Sequence, residues 1–564
     1  MHNLILHTLL LTLTSPALAQ EAPTLITKQA QDAPALLWNA RTAEHLINRA
    51  GFGARPDEVD AAVAMGMEAY VDSLFVIKEM QVPLDPADRL SGKDGMKATE
   101  RDRLREVRDE GMASEEMLEA ANDKRRAMRR SDKQQLEDYT VWWFDTMISG
   151  GDPLRDRMTL FWHGLLTSSM QDVKSSYQMI EQNHLLRNGA LGDYKSLLIG
   201  IAKNPAMLEY LDNDENKKDA PNENFAREVM ELFTLGEGNY TEEDVREAAR
   251  AFTGWRSRSS EYSFSKRQHD NGKKTFLGVK GRHDGEDILN ILLEQEQCGD
   301  YVAGRIISYL EGVTPSAERQ AAYGQLFYES GYDIEGLLRT LFVDPDFYRD
   351  EVVGTRVAGP VDYLVGSARR LELLPPRDWL LSGSRLLGQR LFHPPSVKGW
   401  DGGMAWITTA SLMQRGNLAG ILVGEVDPKD VASRELEEFD EMDAMDEMDE
   451  MGTMEDASKQ KARGVKLGEL GGLKKMRGKW SPTLGLSREV GRVATSADAV
   501  DKLLDLLLAV DAGEDTRTYL VDEYDKKCRE AGLSSRNKRN GRKREAVLTS
   551  MAHLILSLPE AQLN

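Results

Sequence analysis

Apolar residues recur every three or four positions through most of the chain, and that period predicts helix after helix. From Asn39 to Ala50 (NARTAEHLINRA) the pattern is helical, and it stops at Gly51-Phe52-Gly53. Pro56 opens another helix at its first position, with Asp57 and Glu58 in the first turn, where the helix dipole favours acids. Residues 97–135 are a highly charged run of good helix formers, expected to be a long exposed helix or a helical pair. They lead into YTVWWFDTMI, 139–148, whose aromatics call for burial. Regular helices are predicted again at 286–296, 300–311, 315–331, 334–342, 357–372 and 499–510. An amphipathic C-terminal helix is expected to dock back on the core.

One helical stretch, NENFAREVMELFTLG at 222–236, has a dense polar face. At 100° per residue, Phe225, Ala226, Val229, Met230, Leu232 and Phe233 share one arc, while Glu223, Asn224, Arg227, Glu228, Glu231 and Thr234 fill the other. Gly236 suits the position that ends the helix. Thr241-Glu242-Glu243-Asp244 then resembles a capping box, with Asp as the reciprocal acid, and opens a helix running to about Phe252 and stopping at Gly254-Trp255. Beyond it the period breaks. KKTFLGVKGRHDG, 273–285, has Gly at 278, 281 and 285 and is expected to be a short hairpin or loop, the one convincing place for β structure.

Composition adds boundaries to this pattern. A 564-residue chain that is 41% hydrophobic, with 9 Trp and 16 Tyr, has the material for a large globular core. Residues 425–496 differ in kind: Met442, Met445, Met448, Met451 and Met454 recur among acids, followed by the basic, Gly-rich GVKLGELGGLKKMRGK at 464–479. Such a polyampholyte cannot bury a core and is expected to be mostly disordered. The predicted fold class is therefore mainly α: a multi-helix domain at 39–424, the insertion at 425–496, and C-terminal helices at 497–564 that pack on the main domain.

Twelve Asp and Glu with no Lys or Arg lie between 435 and 456, so more than half of the net charge of −21 sits in one segment. The remainder is still acidic, which argues against nucleic acid as a partner. At the N-terminus, an apolar run from Leu4 to Leu13 precedes Ala17-Leu18-Ala19, a cleavage pattern before Gln20. We expect residues 1–19 to be a secretory signal, 20–38 a linker, and the mature chain to be exported to the periplasm or beyond with no transmembrane segment. Only Cys298 and Cys528 occur, and two unpaired thiols are favoured over one long-range bridge.

Candidate chemistry centres on the polar helix and its surroundings. Asp212, Asp214, Asn216 and Glu223 fall at relative positions 1, 3, 5 and 12, the spacing of calcium-loop oxygen ligands, although Lys217 stands where that loop needs Gly. His269-Asp270 and His283-Asp284, followed by Glu286 and Asp287, flank the Gly-rich segment and would suit Zn²⁺ if the fold brings them together. Turn and capping roles are the plain alternative. In the ladder, Glu223–Arg227 and Arg227–Glu231 have ion-pair spacing; in a cleft, Arg227 would hold Glu223 and Glu228 ionised. His163, among Phe161, Trp162 and Leu165, fits a core histidine as well as a catalytic one. Trp400 and Trp406 in GWDGGMAWI would stack on sugar rings if exposed and anchor their loop if buried.

Five segments together carry a resemblance: NRAGFGARPDEV (48–59), RMTLFWHGLLTSS (157–169), the stretch from NPAMLEYLDNDENKKDAPNENF to ARAFTGW (204–255), HDNGKKTFLGVKGRHDGEDIL (269–289) and LFHPPSVKGWDGGMAWITTASLMQRGN (391–417). In order and length they resemble the bacterial domain of unknown function 1800 family (DUF1800), over about residue 39 to the C-terminus. Ser396 departs from the family's usual Asn, and His393 and Asp401 look individual to this chain. The resemblance implies an exported, mainly helical protein, with a sulfatase-like protein of the domain of unknown function 1501 family as a partner.

Two functions follow as expectations. One is a metal-assisted hydrolase or polysaccharide-modifying enzyme with Glu223, Arg227, Glu228 and His163 as catalytic groups. Asp212, Glu223, His269, Asp270 and His283 would then hold Ca²⁺ or Zn²⁺. The other is a non-catalytic envelope binding or scaffold protein. Under the first, the ladder shares a pocket with His163, His269 or His283; under the second, it faces solvent.

Overall fold

Asn39 starts the first helix. Its Oδ1 accepts from the Thr42 N–H at 3.2 Å while Thr42 Oγ1 accepts from the Asn39 N–H at 2.9 Å, satisfying two amides at the helix start. The computed structural model describes residues 37–78, 82–83, 115–431, 476, 480–533 and 541–564. Within them the fold is the mainly helical one the periodicity predicts, with two small two-stranded sheets. The helices used below are α1 (Ala40–Ala50), α2 (Pro56–Met65), α3 (Glu115–Ser149), α4 (Pro153–Leu165), α5 (Asn224–Glu228), α6 (Glu242–Phe252), α7 (Ser496–Leu507) and α8 (Gly541–Leu556).

Apolar side chains gather in two large cores. The first contains Trp162, Tyr194, Phe233, Phe252, Trp255 and Phe327. The second joins Trp143 and Phe144 of α3 to Trp379, Phe392, Leu503 of α7 and Leu548 of α8, so the end of the chain closes over a helix from its first third. Leu160 belongs to the second core and Phe161 to the first, which leaves α4 buried nearly all round. Its charges are paired inside: Arg157 with Asp362, and Asp156 with Arg187. Arg356 also reaches Asp362, at 2.9 Å. Burial alone would raise the Asp362 carboxyl, but the two guanidiniums outweigh it and hold the group at about 2.

The structure adds detail to these expectations. The aromatic segment 139–148 and the charged run before it form one 35-residue helix, α3; residues 97–114 lie outside the described residues. A second hairpin exists beside the expected one: β1 (Trp255–Arg258) pairs antiparallel with β2 (Glu261–Phe264), ahead of β3 (Lys274–Phe276) and β4 (Val279–Gly281). Its turn residues, Ser259 and Ser260, both adopt positive φ (51° and 59°), so a tight turn forms without the glycine that usually announces one. Described residues ahead of 497 pack against the main domain and the C-terminal helices. Trp480 donates to the Leu422 carbonyl at 3.0 Å, Glu545 accepts from the Leu486 and Ser487 amides at 2.8 Å, and Met476 and Val490 are buried. The signal segment, the Met-rich acidic run and nearly all of the basic run lie outside the described residues. Cys298 and Cys528 are both free thiols.

Candidate functional site

The polar ladder is not one regular helix. Residues Asn224–Glu228 are α-helical, but Val229–Thr234 widen into a π-helix, with the Leu235 N–H donating to the Met230 carbonyl at 2.8 Å. This widening breaks the predicted i, i+4 pairing of Arg227 with Glu231. Arg227 instead grips Glu242 of α6 with two bonds of 2.8 Å and touches Glu223 at 3.4 Å. Glu231 accepts from the Tyr240 hydroxyl at 2.8 Å and lies 4.0 Å from Lys398, a mostly exposed side chain that also reaches Glu237 at 3.5 Å. Glu228 is half-buried; burial and the neighbouring Glu231 raise its carboxyl, while Lys398 and Arg227 partly offset the shift. Apart from Glu228, which makes no hydrogen bond or ion pair among the described residues, these are surface ion pairs, and none of them reaches a histidine.

The calcium-like loop is spent on its own folding. Asn216 is fully buried: its Nδ2 donates to Asn213 Oδ1 at 3.0 Å and to the Ala249 carbonyl at 2.9 Å, and its Oδ1 accepts from the Asn222 N–H at 3.0 Å. Asp212 stands exposed at φ 56°, and Glu223 turns to Arg227. His269 Nδ1 donates to the Thr253 carbonyl at 2.9 Å, and Asp270 pairs with Arg250 at 2.8 Å. His283 Nε2 donates to the Val279 carbonyl at 3.2 Å, and Asp284 caps the Gly285–Leu293 helix. The hairpin therefore does not bring the two imidazoles to a common point. Among the described residues, no three His, Cys, Asp or Glu side chains are arranged to hold a metal ion.

His163 lies in the interior, far in role from the ladder. Its Nε2 accepts from the Phe392 N–H at 3.0 Å, which holds a residue at φ 66°, and its ring packs against Trp143 and Trp400. Burial, with a smaller push from His393, lowers the imidazole to about 3 and keeps it neutral. Trp400 lies against that imidazole and Trp406 against Gly359 and Gly388, so both indoles anchor the loop.

The group of carboxyls with the least company lies elsewhere, in a cleft of about 600 Å³ between α1 and α2 on one side and α7 with residues 508–512 on the other. Gly53 shapes the turn between α1 and α2: it stands at φ 124°, and a Cβ there would lie 3.1 Å from the Gly366 Cα, tighter than side chains usually tolerate. The cleft's cations are occupied. Arg55 pairs with Asp57 at 2.7 Å and Glu372 at 2.9 Å, Arg517 grips Asp501 at 2.6 and 2.7 Å, and Arg41 meets Asp350 at 2.7 Å. Glu44, Asp505 and Asp511 make no hydrogen bond or ion pair among the described residues. Burial raises the Glu44 carboxyl to about 7; Arg370 opposes this, and Asp505 and Asp511 add to it. Next to Glu44, His45 is 4% exposed, and its Nε2–H donates to the Phe347 carbonyl at 3.0 Å. Burial, then Arg49, drives that imidazole well below its usual range, so the ring stays neutral with its proton on Nε2.

The profile of the family described as Protein of unknown function (DUF1800) matches residues 45–563. The chain belongs to that family. No curated protein and no solved structure matches it. The matched span begins at His45, one residue after Glu44, and includes the cleft residues from there to Ala512 and Arg517. Sequence inspection missed Glu44 because, within NARTAEHLINRA, it reads as an ordinary helix-surface acid. Its partners across the cleft lie more than 450 positions along the chain, and no local spacing connects them.

Proposed function

We propose that this protein is a non-catalytic binding protein of the cell envelope, and that its ligand enters the cleft between α1, α2 and α7. The observation that carries this reading is the contrast in partners. Glu44, Asp505 and Asp511 line the cleft without a hydrogen bond or ion pair among the described residues, Arg370 alone opposing the rise of the Glu44 carboxyl, whereas Glu223, Arg227 and Glu231 are engaged in surface pairs away from any histidine. Carboxyls left without partners in a cavity large enough for a small molecule are what a binding site contributes before its ligand arrives. Envelope location and a sulfatase-like partner of the domain of unknown function 1501 family belong to the same proposal. They rest on the N-terminal apolar run and on the family resemblance.

The test is thermal unfolding of the purified mature protein against a panel of sugars, amines, carboxylates and divalent ions, alongside the Ala40→Trp variant, which places an indole at the exposed rim of the cleft. At least one class should raise the melting temperature of the wild type, and Ala40→Trp should lose that response. Stabilisation by no class, or equal stabilisation of the variant, would overturn the reading. Chemical turnover of the stabilising compound would replace binding with catalysis.

A further inference from the structure

We propose that Arg49 holds a buried halide ion, such as chloride, in the core where α1, α4 and the helix Pro360–Arg370 meet. Arg49 stands in the last turn of α1 and is 1% exposed. Its Nη2 donates to the Val352 carbonyl at 2.6 Å. Its Nε and Nη1 are buried and have no hydrogen-bond partner among the described residues. Those two nitrogens carry three N–H donors, on a group that does not give up its charge in proteins. A buried charge needs a counter-ion, and buried donors need acceptors.

The protein's own anions are already committed around it. Asp362 serves both Arg157 and Arg356, and Glu311 serves Arg319 and Arg349. Three guanidiniums, those of Arg49, Arg157 and Arg356, therefore have one bonded carboxylate between them. The chain end of α1, where carbonyls attract a cation, is taken as well: the Gly51 carbonyl accepts from Arg157 Nε at 3.1 Å. Burial works most strongly against the charge on Arg49. Repulsion by Arg356 and Arg157 comes next, and the pulls of Asp362 and Glu311 are each smaller.

A water molecule would satisfy the donors but not the charge, whereas an anion does both. Size favours a single atom. Arg49 is fully enclosed and does not line the cleft beside α1, so the site is separate from the one proposed above and has no visible opening for a phosphate or a larger carboxylate. An ion that binds only the folded chain links stability to its own concentration.

Thermal unfolding of the full chain tests this, with chloride or bromide replacing gluconate at constant ionic strength so that screening is unchanged. The melting temperature should rise by about 1–2 °C for each tenfold increase in either halide once the site begins to fill. General salt effects do not mimic this, because it is excluded, strongly hydrated anions that strengthen burial, and bromide is not one of them. Arg49→Met keeps an unbranched side chain without the charge and should abolish the dependence. Crystals grown in bromide should show an anomalous peak within hydrogen-bond reach of Arg49 Nη1. That arm uses the unaltered protein, so it decides the matter if Arg49→Met does not fold. A melting temperature indifferent to halide, a dependence that survives in Arg49→Met, or a water and no bromide at Nη1 overturns the proposal.

Discussion

Replacing Glu44 with Gln should make the protein more stable in alkaline buffer, although it removes a native charge. Glu44 has a folded-state value of about 7 against 4.5 for the free side chain, with burial as the main cause and Asp505 and Asp511 as additional ones. Below pH 4.5 the group is protonated in both folded and unfolded chains, so it costs nothing. As pH rises from 4.5 to 7, the unfolded chain gives up its proton while the folded one retains it, and native stability falls across that window. Above pH 7 the penalty is complete. Holding the carboxyl at about 7 instead of 4.5 is worth about 3 kcal/mol. Gln keeps the shape and never ionises, so it escapes the penalty. Urea unfolding of both proteins from pH 4 to pH 8.5 measures it: the variant should match the wild type near pH 4 and exceed it by about 2–3 kcal/mol at pH 8. Groups elsewhere in the chain cancel in the difference, while Asp505 and Asp511 remain coupled to the substituted position. A difference that does not change with pH, or a variant that is weaker at pH 8, would refute the burial argument.

Asp362→Asn should behave in the opposite way. It leaves Arg157 and Arg356 without their shared counter-ion and should destabilise the fold by about 3–5 kcal/mol in urea at pH 7; a loss below about 1 kcal/mol would contradict the buried network. Because the folded-state value of Asp362 is depressed to about 2, its stabilising effect is present above pH 4 and fades as pH falls towards 2. Arg227→Ala should shift the urea midpoint no more than other surface substitutions, and neither Ca²⁺ nor Zn²⁺ should restore it, since its partners Glu242 and Glu223 are solvent-exposed. Deleting 435–470 should leave the melting temperature nearly unchanged, because that composition buries nothing; a fall of many degrees would contradict it. Intact-mass analysis of exported protein should find a chain beginning at Gln20.

The sequence by itself determined the helical class and most helix starts. These are local matters: the Asn39 and Thr241 caps form as their side chains predict, and the apolar period selects the buried face of each helix. Segment similarity likewise sufficed to indicate the family. Local rules failed where the backbone left the α or glycine pattern. The π-helix at Val229–Thr234 redirected Arg227 and Glu231 to different partners, and the Ser259–Ser260 turn made a hairpin without glycine. Only the tertiary structure decided which polar groups were satisfied. His163, Asn216, His269 and Asp284 are engaged in holding backbone; for His163, His269 and Asp284 the local sequence offered that role beside a chemical one without deciding between them. Glu44 acquires its raised value from burial, with Asp505 and Asp511, more than 450 positions away, adding to it; desolvation depends on what packs around a side chain, which local sequence does not encode.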